Sequence, residues 1–111
     1  MIFAVSDHIE QIRRGRKTQT RRASDRYHIG RVYKIQPCRT CKGIPDGEII
    51  IINKRRELFP RHIITFEDAQ AEGGYGPQQF ERLYERLHPK WHQRFAYTFK
   101  FVPTERKEAD P

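Results

Sequence analysis

Ile12-Arg13-Arg14-Gly15-Arg16-Lys17-Thr18-Gln19-Thr20-Arg21-Arg22 gathers six cations and two threonines around one glycine. Gly15 suits the left-handed turn that follows a helix end. Ahead of it, Ser6 can cap a short helix that carries Ile9 and Ile12 on one face. This helix follows the apolar run Met1 to Val5 and delivers the chain into the basic segment Arg16 to Arg22.

Downstream, Val32, Tyr33 and Ile35 predict a strand over Arg31 to Gln36, which Pro37 closes. Cys38 to Gly47 reads as a loop. Glu48 to Asn53 holds four consecutive isoleucines, a β-branched run apolar on both faces, and predicts a central strand buried on both sides. Ile63 and Ile64 suggest a further short strand. Thr65 with Asp68 three residues on resembles an N-terminal capping box, so a helix is expected from Phe66 to Glu72, stopped by Gly73 and Gly74. Pro77 then opens a second helix with Phe80, Leu83, Tyr84 and Leu87 on one stripe, and Pro89 ends it. Phe95, Tyr97, Phe99 and Phe101 alternate with Ala96, Thr98, Lys100 and Val102, which gives a closing strand with an aromatic core face.

The chain of 111 residues has room for one domain, placed at residues 1–102, with a disordered charged tail at 103–111. Seven Phe, five Tyr and the isoleucine runs supply a core despite 32% charged residues. The order of elements describes an α+β domain whose small, mostly antiparallel sheet could close into a barrel with flanking helices. No apolar stretch approaches the roughly 18 residues of a membrane span, and the opening MIFAVSDHIE lacks the features of a signal peptide. A cytoplasmic monomer without membrane contact is therefore expected, with Cys38 and Cys41 reduced.

The net charge of +8 is unevenly placed: residues 1–60 hold 14 Lys and Arg against 6 Asp and Glu, while residues 61–111 hold 8 of each. A positive field over one region favours a polyanionic partner, RNA first and DNA second, and salt-sensitive binding.

The segment from Ile12 to Arg22 resembles the signature of the ASCH family, in which a helix leads into G-x-K-T-x-T-x-R at the mouth of a PUA-like barrel. The resemblance continues through Ile29 to Pro37, Gly47-Glu48-Ile49 and Ile64 to Gly73 to the closing strand, covering residues 8 to 102. It departs after Gln36-Pro37, where relatives run on with glycines and basic residues and this chain has Cys38-Arg39-Thr40-Cys41-Lys42-Gly43. The resemblance implies a PUA-like barrel and RNA or nucleoside binding. It also implies, for a small subgroup that deacetylates N4-acetylcytidine, a catalytic set falling here on Lys17, Thr20 and Glu72.

Two readings of those residues stay open. A desolvated Lys17 with a lowered pKa could deprotonate Thr20 for attack on an amide carbonyl, with Glu72 passing a proton to the leaving amine or holding the lysine. Alternatively, Lys17 and Thr20 contact a phosphate or base while Glu72 pairs with an arginine. Arg16, Arg21, Arg22, Arg39 and Lys42 are candidate nucleic-acid contacts, Arg22 foremost, in a cleft completed by the Pro37 to Gly43 loop; Tyr75 could stack on a base. A ribonuclease or a protein-interaction module is a further alternative, though no acid-base histidine pair stands out.

Cys38-x-x-Cys41 has the spacing of half a zinc site, and His88-x-x-x-His92 could supply the rest. Forty-six residues separate the halves and Pro89 interrupts the second, so neither a metal nor another cofactor is expected.

Overall fold

A computed structural model describes residues 1–5, 7–58, 64–87 and 93–104. Its elements are α1 (His8–Arg13), β1 (Gln19–Arg22), β2 (Val32–Lys34), β3 (Gly47–Leu58), α2 (Phe66–Gly73), α3 (Pro77–Leu87) and β4 (Gln93–Pro103). The strands form one antiparallel sheet in the order β1-β4-β3-β2. No helix among the described residues is long and apolar enough to cross a membrane.

The α+β class holds, but the sheet does not close into a barrel. Its outer strands β1 and β2 have only 4 and 3 residues, too short to reach each other around the sheet. The N-terminal segment lies beside β2's continuation, joined to it by an isolated parallel bridge from Ile2 to Gln36. β1 itself departs from the expectation: the periodicity around Arg16 to Arg22 carries no apolar alternation, yet these residues pair with Phe95 to Thr98 of the closing strand. The partner, not the local sequence, makes the strand.

β3 is longer than the isoleucine run predicts, and it is buried on one face rather than two. Ile49 and Ile51 are fully buried opposite Phe101 and Phe99, whereas Ile52 is exposed. Ile52 is the extra residue of a bulge between the pairs Ile51↔Phe99 and Asn53↔Thr98. A bulge reverses the in-out alternation of everything beyond it. Counted from Ile51 without it, Glu57 would join the aromatic face of β4; with it, Glu57 lies opposite Arg94 on the other face.

The aromatic face of β4 forms the main core. Phe95, Tyr97 and Phe99 pack with Ile49, Ile51, Ile35, Ile12, Tyr27 and Phe3, each large side chain worth about 1.5–3 kcal/mol of burial. Beneath the opposite face, Ile64 packs with Ala69 of α2 and with Phe80 and Tyr84 of α3 in a smaller cluster.

The helix ends follow the expected chemistry. Arg14 caps α1 and Gly15 takes φ 73°, the left-handed turn anticipated there. The N-cap is Asp7, without a side-chain cap bond; the expected cap, Ser6, lies outside the described residues, as do Ile63 and Pro89. Thr65 Oγ1 accepts from Asp68 N at 3.1 Å, and α2 ends at Gly74 with φ 81°. Beyond the expected limit of the domain, Pro103 still belongs to β4 and Thr104 N donates to Asp46 O at 3.0 Å; the rest of the expected tail, 105–111, is outside the described residues.

Cys38 and Cys41 are joined in a disulfide, against the expectation of reduced thiols. The turn between them brings their Cα atoms to 5.0 Å, inside the span a disulfide bridges. His88 and His92, the suggested zinc partners, are outside the described residues. Among the described residues, no three of His, Cys, Asp or Glu gather closely enough to hold an ion.

Candidate functional site

Three consecutive β1 residues, Thr20, Arg21 and Arg22, line one cavity of about 240 Å³. Side chains of neighbouring strand residues point to opposite faces, so a cavity touching all three runs along the strand's free edge. Ile2 to Val5 and His8 form one side, Phe80, Leu83, Tyr84 and Leu87 of α3 another, and Lys17 and Glu72 complete it. The opening is basic and the walls are mainly apolar.

The turn after α1 sets Lys17. Arg16 N and Lys17 N both donate to Gln11 O, and Thr18 is clamped between α2 and β4, its N donating to Ala71 O at 2.8 Å and its O accepting from Phe99 N at 2.9 Å. The Lys17 side chain then runs inward and is 2% exposed. Nζ donates to the main-chain oxygen of Glu72 at 2.6 Å and lies 3.5 Å from Glu72 Oε1. Carbonyls in the last turn of a helix lack intrahelical partners and carry partial negative charge, so the lysine satisfies the end of α2 as well as facing its carboxylate.

Burial is the main cause that lowers the Lys17 pKa to about 8; the fields of Arg22 and Arg21 act the same way, and Glu72 opposes them. At pH 7 about one Lys17 in ten is then a neutral amine. No hydrogen bond joins Lys17 Nζ to Thr20. Instead Thr20 Oγ1 accepts from Arg22 Nε at 3.1 Å. The Arg22 guanidinium lies over the Phe3 ring, 4.8 Å from its centroid, and has no carboxylate partner among the described residues.

His8 lines the α1 side, with Tyr75 behind it. Their Nε2 and hydroxyl are 2.7 Å apart. Burial, then Lys17 and Arg22, push the His8 pKa down to about 3, while burial raises that of Tyr75. The imidazole is therefore neutral near pH 7 and shares one hydrogen bond with the tyrosine hydroxyl. Tyr75 also packs against Phe80 at 6.0 Å, behind the wall, and does not itself line the cavity.

The expected residues divide into three groups. Lys17, Thr20, Arg22 and Glu72 converge on the cavity. Arg21 touches it, but its guanidinium is fully spent: Nε and Nη2 reach both oxygens of Glu57 at 2.9 Å, and Nη1 reaches Glu72 Oε2 at 2.8 Å. With its side chain 0% exposed, it has nothing left for a phosphate. Arg16, Arg39 and Lys42 are exposed and line no part of the cavity, and neither does any residue of the Pro37 to Gly43 loop expected to complete the cleft.

Three contributors escaped sequence reasoning. Phe3 sits in an apolar run that carries no periodicity, and Glu57 and Arg94 look like surface charges until the bulge and the pairing of β3 with β4 bring them together. His8 was expected at the surface or in a hydrogen bond; it makes the bond but lines the cavity.

No protein-family model and no curated protein matches the sequence. Two solved structures match the fold. An ASCH domain from Lactobacillus crispatus superposes with a TM-score of 0.71 at 13% identity, over 92% of this chain and 77% of that one. A protein of the DUF984 family from Enterococcus faecalis superposes with a TM-score of 0.59 at 18% identity, over 92% of this chain and 74% of that one. The chain therefore has the ASCH, PUA-like fold with an open sheet.

Proposed function

We propose that the cavity receives a single nucleoside, free or within RNA, and that Lys17, Thr20 and Glu72 hydrolyse an acyl group from the exocyclic amine of its base, as in N4-acetylcytidine. One observation carries this: a buried lysine that is neutral about one time in ten at pH 7, a threonine hydroxyl, a carboxylate and an arginine with no carboxylate partner among the described residues line one small, otherwise apolar cavity. At about 240 Å³ it falls just below the roughly 300–1,000 Å³ of sites for drug-sized ligands, so it suits one base and its substituent rather than a duplex.

The steps follow from the side chains. The neutral Lys17 amine takes the Thr20 proton as Oγ1 attacks the acyl carbonyl, whose oxygen takes up the negative charge, and the Arg22 N–H already directed at Oγ1 stabilises the charge that Oγ1 carries while it loses its proton. Collapse of the tetrahedral intermediate breaks the C–N bond, with the proton passing from Lys17 to the departing amine and Glu72 holding Lys17 in line. Water then attacks the Thr20 ester, Lys17 taking its proton, and the C–Oγ1 bond breaks as Lys17 returns that proton to Oγ1, which releases the carboxylic acid and restores the threonine. Activity should rise with pH through about 8, where Lys17 loses its proton.

The test is acetate release from N4-acetylcytidine, present in the native chain and abolished in Lys17→Ala and Thr20→Ala variants that remain folded. Absence of release at high protein concentration would remove the hydrolytic step. A second reading, binding of RNA without hydrolysis, is favoured by the missing hydrogen bond between Lys17 and Thr20. It predicts that affinity for short RNA falls with salt and that Arg22→Gln lowers the slope by about one unit.

A further inference from the structure

Lys17 is the end of a chain of buried charges that extends well past the cavity. Its amine faces Glu72 Oε1; Glu72 Oε2 accepts from Arg21; Arg21 is held by both oxygens of Glu57. Glu57 Oε1 also accepts from Arg94 Nε at 2.8 Å, and Arg94 Nη1 donates to Glu81 of α3 at 2.6 Å. Lys17, Arg21, Glu57, Glu72 and Arg94 each have side chains no more than 2% exposed. Beyond Lys17, in the turn after α1, the members come from β1, β3, β4, α2 and α3, so the network ties β1, α2 and α3 of the cavity wall to the β3 and β4 strands behind it.

Glu57 and Arg94 do not line the cavity, and a small domain gains little net stability from a buried ion network over apolar packing of similar volume. What the network does supply is placement. Glu72 lies in the last turn of an eight-residue helix, with a side chain free to rotate about its own bonds. Arg21 occupies Oε2 and thereby leaves Oε1 toward Lys17, while the two-point grip of Glu57 fixes the plane of the Arg21 guanidinium.

We propose that Arg21 and Glu57 are positioning residues for Lys17, holding the Glu72 carboxylate so that one oxygen stays against the lysine amine. This rests on Lys17 as the working base of the proposed hydrolysis. The charged groups facing Lys17 are Glu72 from α2, Arg21 and Arg22 from β1, and His8, neutral near pH 7, from α1.

The two variants act on Lys17 with opposite sign. In Glu57→Gln, Arg21 loses its two-point counter-charge, draws more strongly on its remaining partners Glu72 and Asp68 and leaves a more positive field at the amine, so Lys17 should titrate lower. In Arg21→Met, a cation beside the amine disappears and Glu72 is released to it, so Lys17 should titrate higher. A shift of about half a unit or more each way is expected for charges at this depth.

The measurement is the NMR titration of Lys17 in protein carrying ¹³Cε-labelled lysine, with the resonance assigned by its loss in Lys17→Arg. This needs no turnover, so a failure of the hydrolytic reading and a failure of the relay are seen separately; the pH profile of acetate release is the second readout. Opposite shifts support the relay. Unchanged midpoints, or shifts of the same sign, overturn it. If Arg21→Met does not fold, Arg21→Lys takes its place: it retains the charge but loses the fork, and a Lys17 midpoint identical to that of the native chain would equally overturn the proposal.

Discussion

Replacing Lys17 with methionine should stabilise the protein at neutral pH and cease to do so in alkali. The folded-state pKa of about 8 lies below the ordinary 10.5, a difference of about 2.5 units and, at roughly 1.4 kcal/mol per unit, about 3 kcal/mol. Below pH 8 the lysine is protonated in both states and the fold bears that cost. Between about 8 and 10.5 the unfolded chain holds the extra proton, so stability rises with pH and reaches its full value above 10.5. Methionine removes the charge but leaves the Glu72 carbonyl without its donor, a loss of about 1 kcal/mol. The variant should thus be more stable by about 1–2 kcal/mol at pH 7 and equal or weaker by about 1 kcal/mol at pH 11. Urea unfolding followed by far-ultraviolet circular dichroism at both pH values measures this, and comparison of the two proteins cancels the other titrating groups. A variant less stable at pH 7, or a difference that does not change with pH, would refute the assignment of a strained, partly neutral amine.

His8 offers the acid counterpart. With its pKa held near 3 against an ordinary 6.5, it contributes stability in full above pH 6.5 that is lost as pH falls through 3, so His8→Asn should narrow the acid-induced loss in a pH titration of unfolding. Thr65→Ala removes the oxygen that accepts from Asp68 N and should cost about 1 kcal/mol in urea denaturation. Phe99→Ala, in the main core and 2% exposed, should cost about 3–5 kcal/mol by the same assay. Reversing the exposed charges in an Arg39→Glu, Lys42→Glu double variant should leave acetate release from the free nucleoside unchanged, because neither residue lines the cavity; a marked loss would place the disulfide loop in the site.

Much of the fold is legible in the sequence because its signals are local. Gly15 and Gly74 mark helix ends through a backbone conformation that other residues avoid, Thr65 caps α2 through an oxygen three residues from its donor, and Phe95 to Phe101 announce a strand by strict alternation. β1 was not legible, since four polar residues become a strand only when the closing strand offers its edge. The barrel expectation failed for a related reason: strand length at the sheet margins, not periodicity, determines closure.

At the site, Lys17, Thr20, Arg22 and Glu72 could be named only through the family resemblance, and they share a cavity. Arg21 shows the limit of the method. Its neighbours Arg16 and Arg22 carry the same charge and the same apparent exposure in sequence, yet strand alternation turns Arg21 toward Glu57 and Glu72, where it is consumed.

Ile52 gives β3 one residue of slack. Deleting it would let the strand run regularly while Glu57 still met Arg94, because the parity of both flanks is already that of the shorter chain. Lengthening the strand by one ordinary residue between Asn53 and Arg56 has the reverse result, turning Glu57 away and presenting Arg56 to Arg94 and Arg21, three guanidinium groups in a closed interior. This strand is therefore asymmetric toward length change: it can shed a residue and keep its interior electroneutrality, but it has no means of absorbing one more.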